Sequence, residues 1–248
     1  MTSEICNKLQ WDSEFWGFTV AKVNCDRLRE NIEVEILEWC ITNKVKCLYF
    51  AADGSDPDTL SRAYRAGFQF VDVRIELEYD SHLMINNGRT DLTIRKVEPK
   101  DIEILINIAK TAYYDTRFFK DTNFNKNQVV LLYEEWIKRD FTKGKVLGLF
   151  PDNITSPRGY VSLTNDGPEI SRIGLIAVEQ SLRGKGFGRL LLEAAVANSL
   201  EMGARKIKVA TQGTNIAALK LYENSGFRVN DVRIWFHRWF PPQMSAKN

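Results

Sequence analysis

The chain is predicted to adopt an α/β fold, and three observations on its 248 residues lead there. Stretches with helical spacing alternate with short β-like runs over most of its length. The segment G-F-Q-F-V-D-V-R-I at 67–75 is echoed by G-F-R-V-N-D-V-R-I at 226–234. With 44% hydrophobic residues and no biased tract, the chain can bury one large core or two modest ones, which excludes fibrous and disordered classes.

Taken in order, residues 31–44 carry apolar side chains at Ile32, Ile36, Leu37, Cys40 and Ile41, the spacing of a helix. Residues 46–52 read as a strand, and Asp56-Pro57 as the cap and first residue of a second helix, which Gly67 closes. The alternating run R-I-E-L-E-Y then reads as a strand. The same order recurs downstream, with a helix over 190–202 closed by Gly203, a strand over 206–211, a helix over 214–225 closed by Gly226, and the strand R-I-W-F-H-R-W. The copies differ where chemistry would be placed. No glycine occurs from Phe18 to Asp53, so C-D-R-L-R-E-N, before the first copy's helix, cannot wrap an anion with its backbone. Residues 1–88 are therefore expected to form a degenerate supporting domain and 92–240 the working one. The polar N-N-G-R-T-D joins them, and 241–248 form a frayed tail.

Thirty-four basic and 32 acidic residues leave a net charge of only +2, so broad attraction to nucleic acid or anionic lipid is not expected. Any basic site must be local. No stretch approaches the roughly 18 apolar residues of a membrane span, and the N-terminus lacks a signal-peptide pattern, so a cytoplasmic location without membrane partners is expected. Cys6, Cys25, Cys40 and Cys47 form no C-x-x-C pair and read as reduced, buried thiols. His82 and His237 are the only histidines and neither has a suitable partner nearby, so no metal site or histidine-based triad is expected.

The stretch with most chemical content is R-G-K-G-F-G-R-L at 183–190, between a strand and a helix. A glycine-rich turn opening a helix directs several amide N–H groups at one spot, where the helix dipole favours phosphate. Lys185 is followed by Gly186 rather than Ser or Thr, which excludes a P-loop, and G-K-G-F-G is too short for a dinucleotide fingerprint. Downstream, in T-N-I-A-A-L-K-L-Y-E-N-S-G-F, Asn215 and Tyr222 are seven residues apart, which would put an amide and a phenol on one helix face.

Together, V-x(4)-R-G-K-G-F-G and N-x(3)-L-x-L-Y-x(3)-G-F resemble the acetyl-CoA site of the GCN5-related N-acetyltransferases over residues 92–240. The resemblance implies a mixed, twisted sheet split between its fourth and fifth strands, with a truncated N-terminal domain of the same type. It implies acetyl-CoA as co-substrate, held by the amides of Ile176 and Val178, by Arg183, Gly184, Lys185, Gly186 and Gly188 at the pyrophosphate, and by Asn215 along the pantetheine arm. Tyr222 takes the family's acid position. A phenol with an ordinary pKa of about 10 is protonated at neutral pH and can supply the proton a leaving thiolate needs. The base is not assigned: Glu169 and Asp166 are near in sequence, and a water chain would serve equally.

In this family the segment after the first helix covers the acceptor, and here it reads Y-Y-D-T-R-F-F-K-D-T-N-F-N. Its five aromatics with Arg117 and Lys120 suit a ligand carrying a flat ring and phosphates, with Tyr113, Arg117 and Phe118 as the expected contacts. W-D-S-E-F-W-G-F at 11–18, T-R-F at 116–118, R-G-Y-V-S-L at 158–163 and K-V-A-T-Q-G-T-N at 208–215 resemble the branch of the family that acetylates dTDP-4-amino-4,6-dideoxyhexoses. That resemblance implies a nucleotide-sugar acceptor and a homodimer. Two rival readings stay open: an acetyltransferase of the same family for another amine or a protein N-terminus, and a non-catalytic acyl-CoA binder.

Overall fold

The computed structural model describes residues 4–80 and 92–241, so the 86–91 linker, His82 and all but the first residue of the tail lie outside it. The chain forms two compact units, Met1–Arg74 with Val232–Asn248, and Ile75–Asp231. The boundaries fall inside two strands, at 74/75 and 231/232, instead of in the polar 86–91 segment.

The first unit contains β1 (Cys6–Lys8), α1 (Gln10–Trp16), β2 (Val20–Val23), α2 (Ile32–Thr42), β3 (Cys47–Asp53), α3 (Pro57–Arg65) and the start of β4 (Gln69–Asp80). The second adds β5 (Leu92–Lys96), α4 (Ile102–Lys110), α5 (Arg117–Lys120), α6 (Lys126–Thr142), β6 (Val146–Pro151), β7 (Gly159–Asn165) and β8 (Ile170–Val178). It continues with α7 (Phe187–Glu201), β9 (Lys206–Gln212), α8 (Ile216–Asn224) and the start of β10 (Phe227–Trp239).

In the first unit the strands lie in the order β1-β2-β3-β10-β4. β2 and β3 are parallel, whereas β10 is antiparallel to β3. Cys47, Leu48, Tyr49 and Phe50 are all buried, the pattern of a strand covered on both faces. One face packs Ala21, Val23, Leu48, Phe50, Ala52 and Phe236 against Ile36 and Cys40 of α2 and Ala63 of α3. His237 is fully buried, its ring 4.7 Å from that of Tyr49.

In the second unit the order is β4-β9-β8-β7-β6-β5, with β8 and β9 parallel and β5 through β8 antiparallel, so the sheet is mixed. β9 alternates buried and part-exposed residues, and α7 lays Leu191, Leu192, Ala195 and Val196 on the core with Ile173, Ile207 and Val209. Each such buried leucine contributes about 1.5–3 kcal/mol. α7 begins at Phe187, three residues before the expected start, so the glycine-rich turn runs directly into its first turn. No helix among the described residues is long and apolar enough to cross a membrane.

Candidate active site

Strand β8 is interrupted in the middle. Against β7, Val161 faces Ile176 and Leu163 faces Ile173, so the single residue Ser162 stands opposite both Gly174 and Leu175. This is a β-bulge, which bends a strand and increases its twist. Ser162 holds it in place: its Oγ accepts from the Leu175 N–H at 2.9 Å and donates to Asp140 Oδ2 at 2.7 Å, all three groups being buried. Gly174 is required there, because a β-carbon would lie 2.9 Å from Ser162 Oγ.

The consequence is an opening between parallel strands. Pairing of β8 with β9 covers Ile170–Ile173 against Lys206–Val209 and ends at the bulge, while both strands run on to Val178 and Gln212. The Glu179 N–H donates to Arg158, on the β7 side, and Leu175 also donates to that side. Backbone groups alternate along a strand, so the amides of Ile176 and Val178 face the side from which β9 has diverged. Because Ser162→Ala leaves the Leu175 amide and the Asp140 carboxylate buried without that partner, it should cost about 1–3 kcal/mol. Differential scanning calorimetry should show a Tm several degrees lower; an unchanged Tm would mean the bulge does not depend on this network.

Tyr222 of α8 is 3% exposed, in the same apolar cluster as Ile176, Val178, Leu182 and Phe187. Burial raises its phenol above the ordinary value. Two further phenols belong to this region. The Tyr113 hydroxyl is 3.2 Å from that of Tyr160, and the Tyr113 ring stacks on Tyr133 at 4.8 Å. Burial raises both Tyr113 and Tyr160, and a charge on Tyr113 would also be opposed by Tyr160 and Tyr222. Tyr160, Ser162, Asp140 and Gly174 carried no signal of such roles in the sequence, although the first two stand in the R-G-Y-V-S-L segment.

The glycine-rich turn is set for an anion. Gly186, at φ +88°, is the N-cap of α7, whose first turn contains no acidic side chain. Among the described residues, the N–H groups of Gly184, Gly186 and Gly188 donate to no protein acceptor, and the turn is open to solvent. These are the donors a pyrophosphate needs, so the residues present fit acetyl-CoA. Lys185 is exposed on the same turn. Arg183, also exposed, is bound to the backbone: Nε donates to the Val178 carbonyl at 3.2 Å and Nη2 to that of Thr111 at 3.1 Å, fixing the turn to β8 and the end of α4.

The helix stripe expected to carry Asn215 and Tyr222 is different in the structure. α8 starts at Ile216, and Asn215 is its N-cap, its Oδ1 accepting from the Ala218 N–H at 3.1 Å. Its neighbour Thr214 belongs to an anchor. Thr214 Oγ1 donates to Asp115 at 2.7 Å, and Lys120 Nζ reaches both Thr214 and Asp115 at 2.9 Å. The hydrogen bond from Thr214, with Lys120 beside it, holds the Asp115 carboxyl below its usual range. Lys120 therefore ties the 113–125 segment to the β9–α8 loop. Phe118, expected to face the acceptor, is 3% exposed and packs edge-on against Phe124 and Trp136. Arg117 lies over the Phe118 ring at 4.3 Å, and the exposed aromatic of the segment is Tyr114, its ring 5.4 Å from that of half-buried Phe119.

A split parallel pair with open-edge amides, an anion-binding turn and a buried phenol together form an arrangement that can hold an acyl thioester and protonate its leaving group. The chain is also similar to known proteins. Residues 108–227 match the acetyltransferase (GNAT) family. The dTDP-fucosamine acetyltransferase of Escherichia coli O6:H1 is 27% identical over 238 residues, 93% of this chain and 96% of that protein. The spore coat polysaccharide biosynthesis protein SpsD of Bacillus subtilis is 24% identical over 151 residues, 60% of this chain and 51% of that protein. Among solved structures, a GCN5-related N-acetyltransferase from Sphaerobacter thermophilus shares the fold with a TM-score of 0.71 at 13% identity, over 97% of this chain and 78% of that one. A tandem GNAT protein from the clavulanic acid pathway gives 0.62 at 15% identity, over 90% and 76%. Residues 108–227 therefore form an acetyl-CoA-dependent N-acetyltransferase domain of the acetyltransferase (GNAT) type.

Proposed function

We propose that this acetyltransferase acetylates the amino group of a dTDP-4-amino-4,6-dideoxyhexose, of galactose type, in the synthesis of a cell-surface polysaccharide. The observation that carries this reading is the similarity to dTDP-fucosamine acetyltransferase, which runs through nearly the whole of both chains and includes the supporting half. The partial similarity to SpsD points to the same kind of pathway. By the same resemblance we infer a homodimer, and from the sequence pattern a cytoplasmic location.

Acetyl-CoA supplies an activated acyl thioester. The residues of this chain would divide the remaining work. The amides of Gly184, Gly186 and Gly188 with Lys185 would hold the pyrophosphate, while Arg183 keeps their turn in place. Asn215, its Oδ1 engaged by Ala218, has its amide N–H₂ left for the pantetheine arm. The N–H groups of Ile176 and Val178 would donate to the thioester carbonyl and stabilise charge developing on its oxygen. Tyr222 would hold the proton that the departing thiolate takes up. Tyr113 and Phe118 would shape the acceptor side, Phe118 from within the segment, and Arg117 would bind the diphosphate.

Replacing Arg117 by Ala should therefore raise the KM for the nucleotide sugar about tenfold or more and leave that for acetyl-CoA unchanged. Equal losses for both substrates would instead indicate a folding defect. The test of the reading as a whole is a thiol-release assay with acetyl-CoA against dTDP-4-amino-4,6-dideoxygalactose, its glucose epimer, a 3-amino analogue, spermidine and a short peptide. Turnover confined to one dTDP-amino sugar is the expected result. Turnover with spermidine or the peptide alone would overturn the acceptor.

A further inference from the structure

We propose that the first unit carries a second binding site, for a small phosphate-bearing anion, in a cavity on the face of its sheet away from α2 and α3. The cavity measures about 500 Å3 and is lined by residues of that unit alone, Lys22, Asn24, Cys25, Asp26, Arg74 and Arg233 among them. This volume falls within the roughly 300–1,000 Å3 of small-molecule sites.

Strand geometry explains why the space exists. Ala21, Val23, Phe50, Ala52 and Phe236 face the helices, so by alternation Lys22, Ala51, Arg233 and Trp235 present the other face. Ala51 stands opposite Trp235 in the β3–β10 register, where its small side chain leaves the floor of the cavity open. The parallel pairing of β2 with β3 ends at Lys22 and Tyr49, after which β2 gives way to Asn24, Cys25 and Asp26. The second unit has its opening at the matching place, beyond the last pair of its own parallel strands, β8 and β9.

The charge pattern selects the ligand. Of the charged side chains lining the cavity, Lys22, Arg74 and Arg233 are cationic and Asp26 alone is anionic, paired with Arg233 at 2.6 Å. Both arginines are the R of the repeated D-V-R-I, and the repeat delivers them to one site because β4 and β10 are neighbours. A guanidinium presents a planar fork that matches phosphate oxygens, and Trp235 adds an aromatic wall. Acetyl transfer is not the use of this site. Four residues before the helix-ending glycine, where the second copy has Tyr222, the first has Ala63, and no glycine-rich turn precedes α2.

Cys25 provides a local reporter, since it lines the cavity and is part-exposed whereas Cys6, Cys40 and Cys47 are buried. The rate of N-ethylmaleimide alkylation at Cys25, read by peptide mass spectrometry, should fall several-fold and saturably as inorganic pyrophosphate is added to the full chain. Sodium chloride at equal ionic strength should not reproduce the effect. Lys22→Gln, which removes a charge without adding volume, and Ala51→Leu, which fills the floor, should both abolish protection. Gly186→Val, in the acyl-CoA turn, should leave it intact. No slowing by pyrophosphate, the same slowing by chloride, or protection that persists in both Lys22→Gln and Ala51→Leu would each overturn the proposal.

Discussion

Tyr222→Phe should lower kcat by about 10²-fold or more while leaving the affinity for acetyl-CoA nearly unchanged. The structure makes this a clean substitution. The phenol is buried among apolar side chains, its ring 5.9 Å from Phe227, and burial alone raises its pKa, with no hydrogen-bond partner among the described residues contributing. Phenylalanine keeps the packing, and removing a hydroxyl without a protein partner orphans nothing, so stability should be unchanged or slightly raised. Tyr160→Phe makes the contrast, because it takes the Tyr113 hydroxyl's partner away and should cost stability. The pH profile gives an independent check. A phenol whose pKa is raised by burial stays protonated throughout the range where an ordinary phenol does, so kcat of the parent enzyme should show no descending limb from Tyr222 up to about pH 10. An unaltered kcat in Tyr222→Phe, measured at saturating substrates, would remove the residue from the mechanism.

What the sequence disclosed and what it withheld follow from the range of the interactions involved. The two copies, the glycine-rich turn and Tyr222 were legible because each is written in local chemistry: helix spacing, a helix-ending glycine, amides at a helix start. The bulge that opens the sheet was not. It depends on Ser162, Gly174 and Asp140 meeting across two strands and a helix, and no spacing rule links residues 22 apart. Lys120 looked like a phosphate ligand for the same reason, its partner Thr214 being 94 residues away. The start of α8 differs from the expected boundary: a helix from 214 would put the Asn215 amide on the Tyr222 stripe, whereas an asparagine before a helix gains more by accepting a first-turn N–H. The division between the units was hidden too, because β4 and β10 cross it without any break in composition.

Gly186→Val should raise the KM for acetyl-CoA by about tenfold or more, with a smaller change in kcat. The cause is conformational, since a β-carbon at Gly186 would meet nothing within 4 Å, yet φ is +88°. An L-residue held in that region costs about 1–2 kcal/mol, and a β-branched one is especially resistant to it. The turn can relieve that strain only by rotating its peptide units, which redirects the N–H groups of Gly186 and its neighbours away from the pyrophosphate position. A control is built into the same helix. Gly203, just beyond the other end of α7, has φ +87° and equally open surroundings. Gly203→Val therefore imposes comparable strain and a comparable loss of Tm, but it moves no amide of the turn. If the turn holds the pyrophosphate, only the Gly186 variant loses affinity for acetyl-CoA by calorimetry. Equal losses in both variants would trace the effect to α7 as a whole, and full affinity in the Gly186 variant would remove the turn from acetyl-CoA binding.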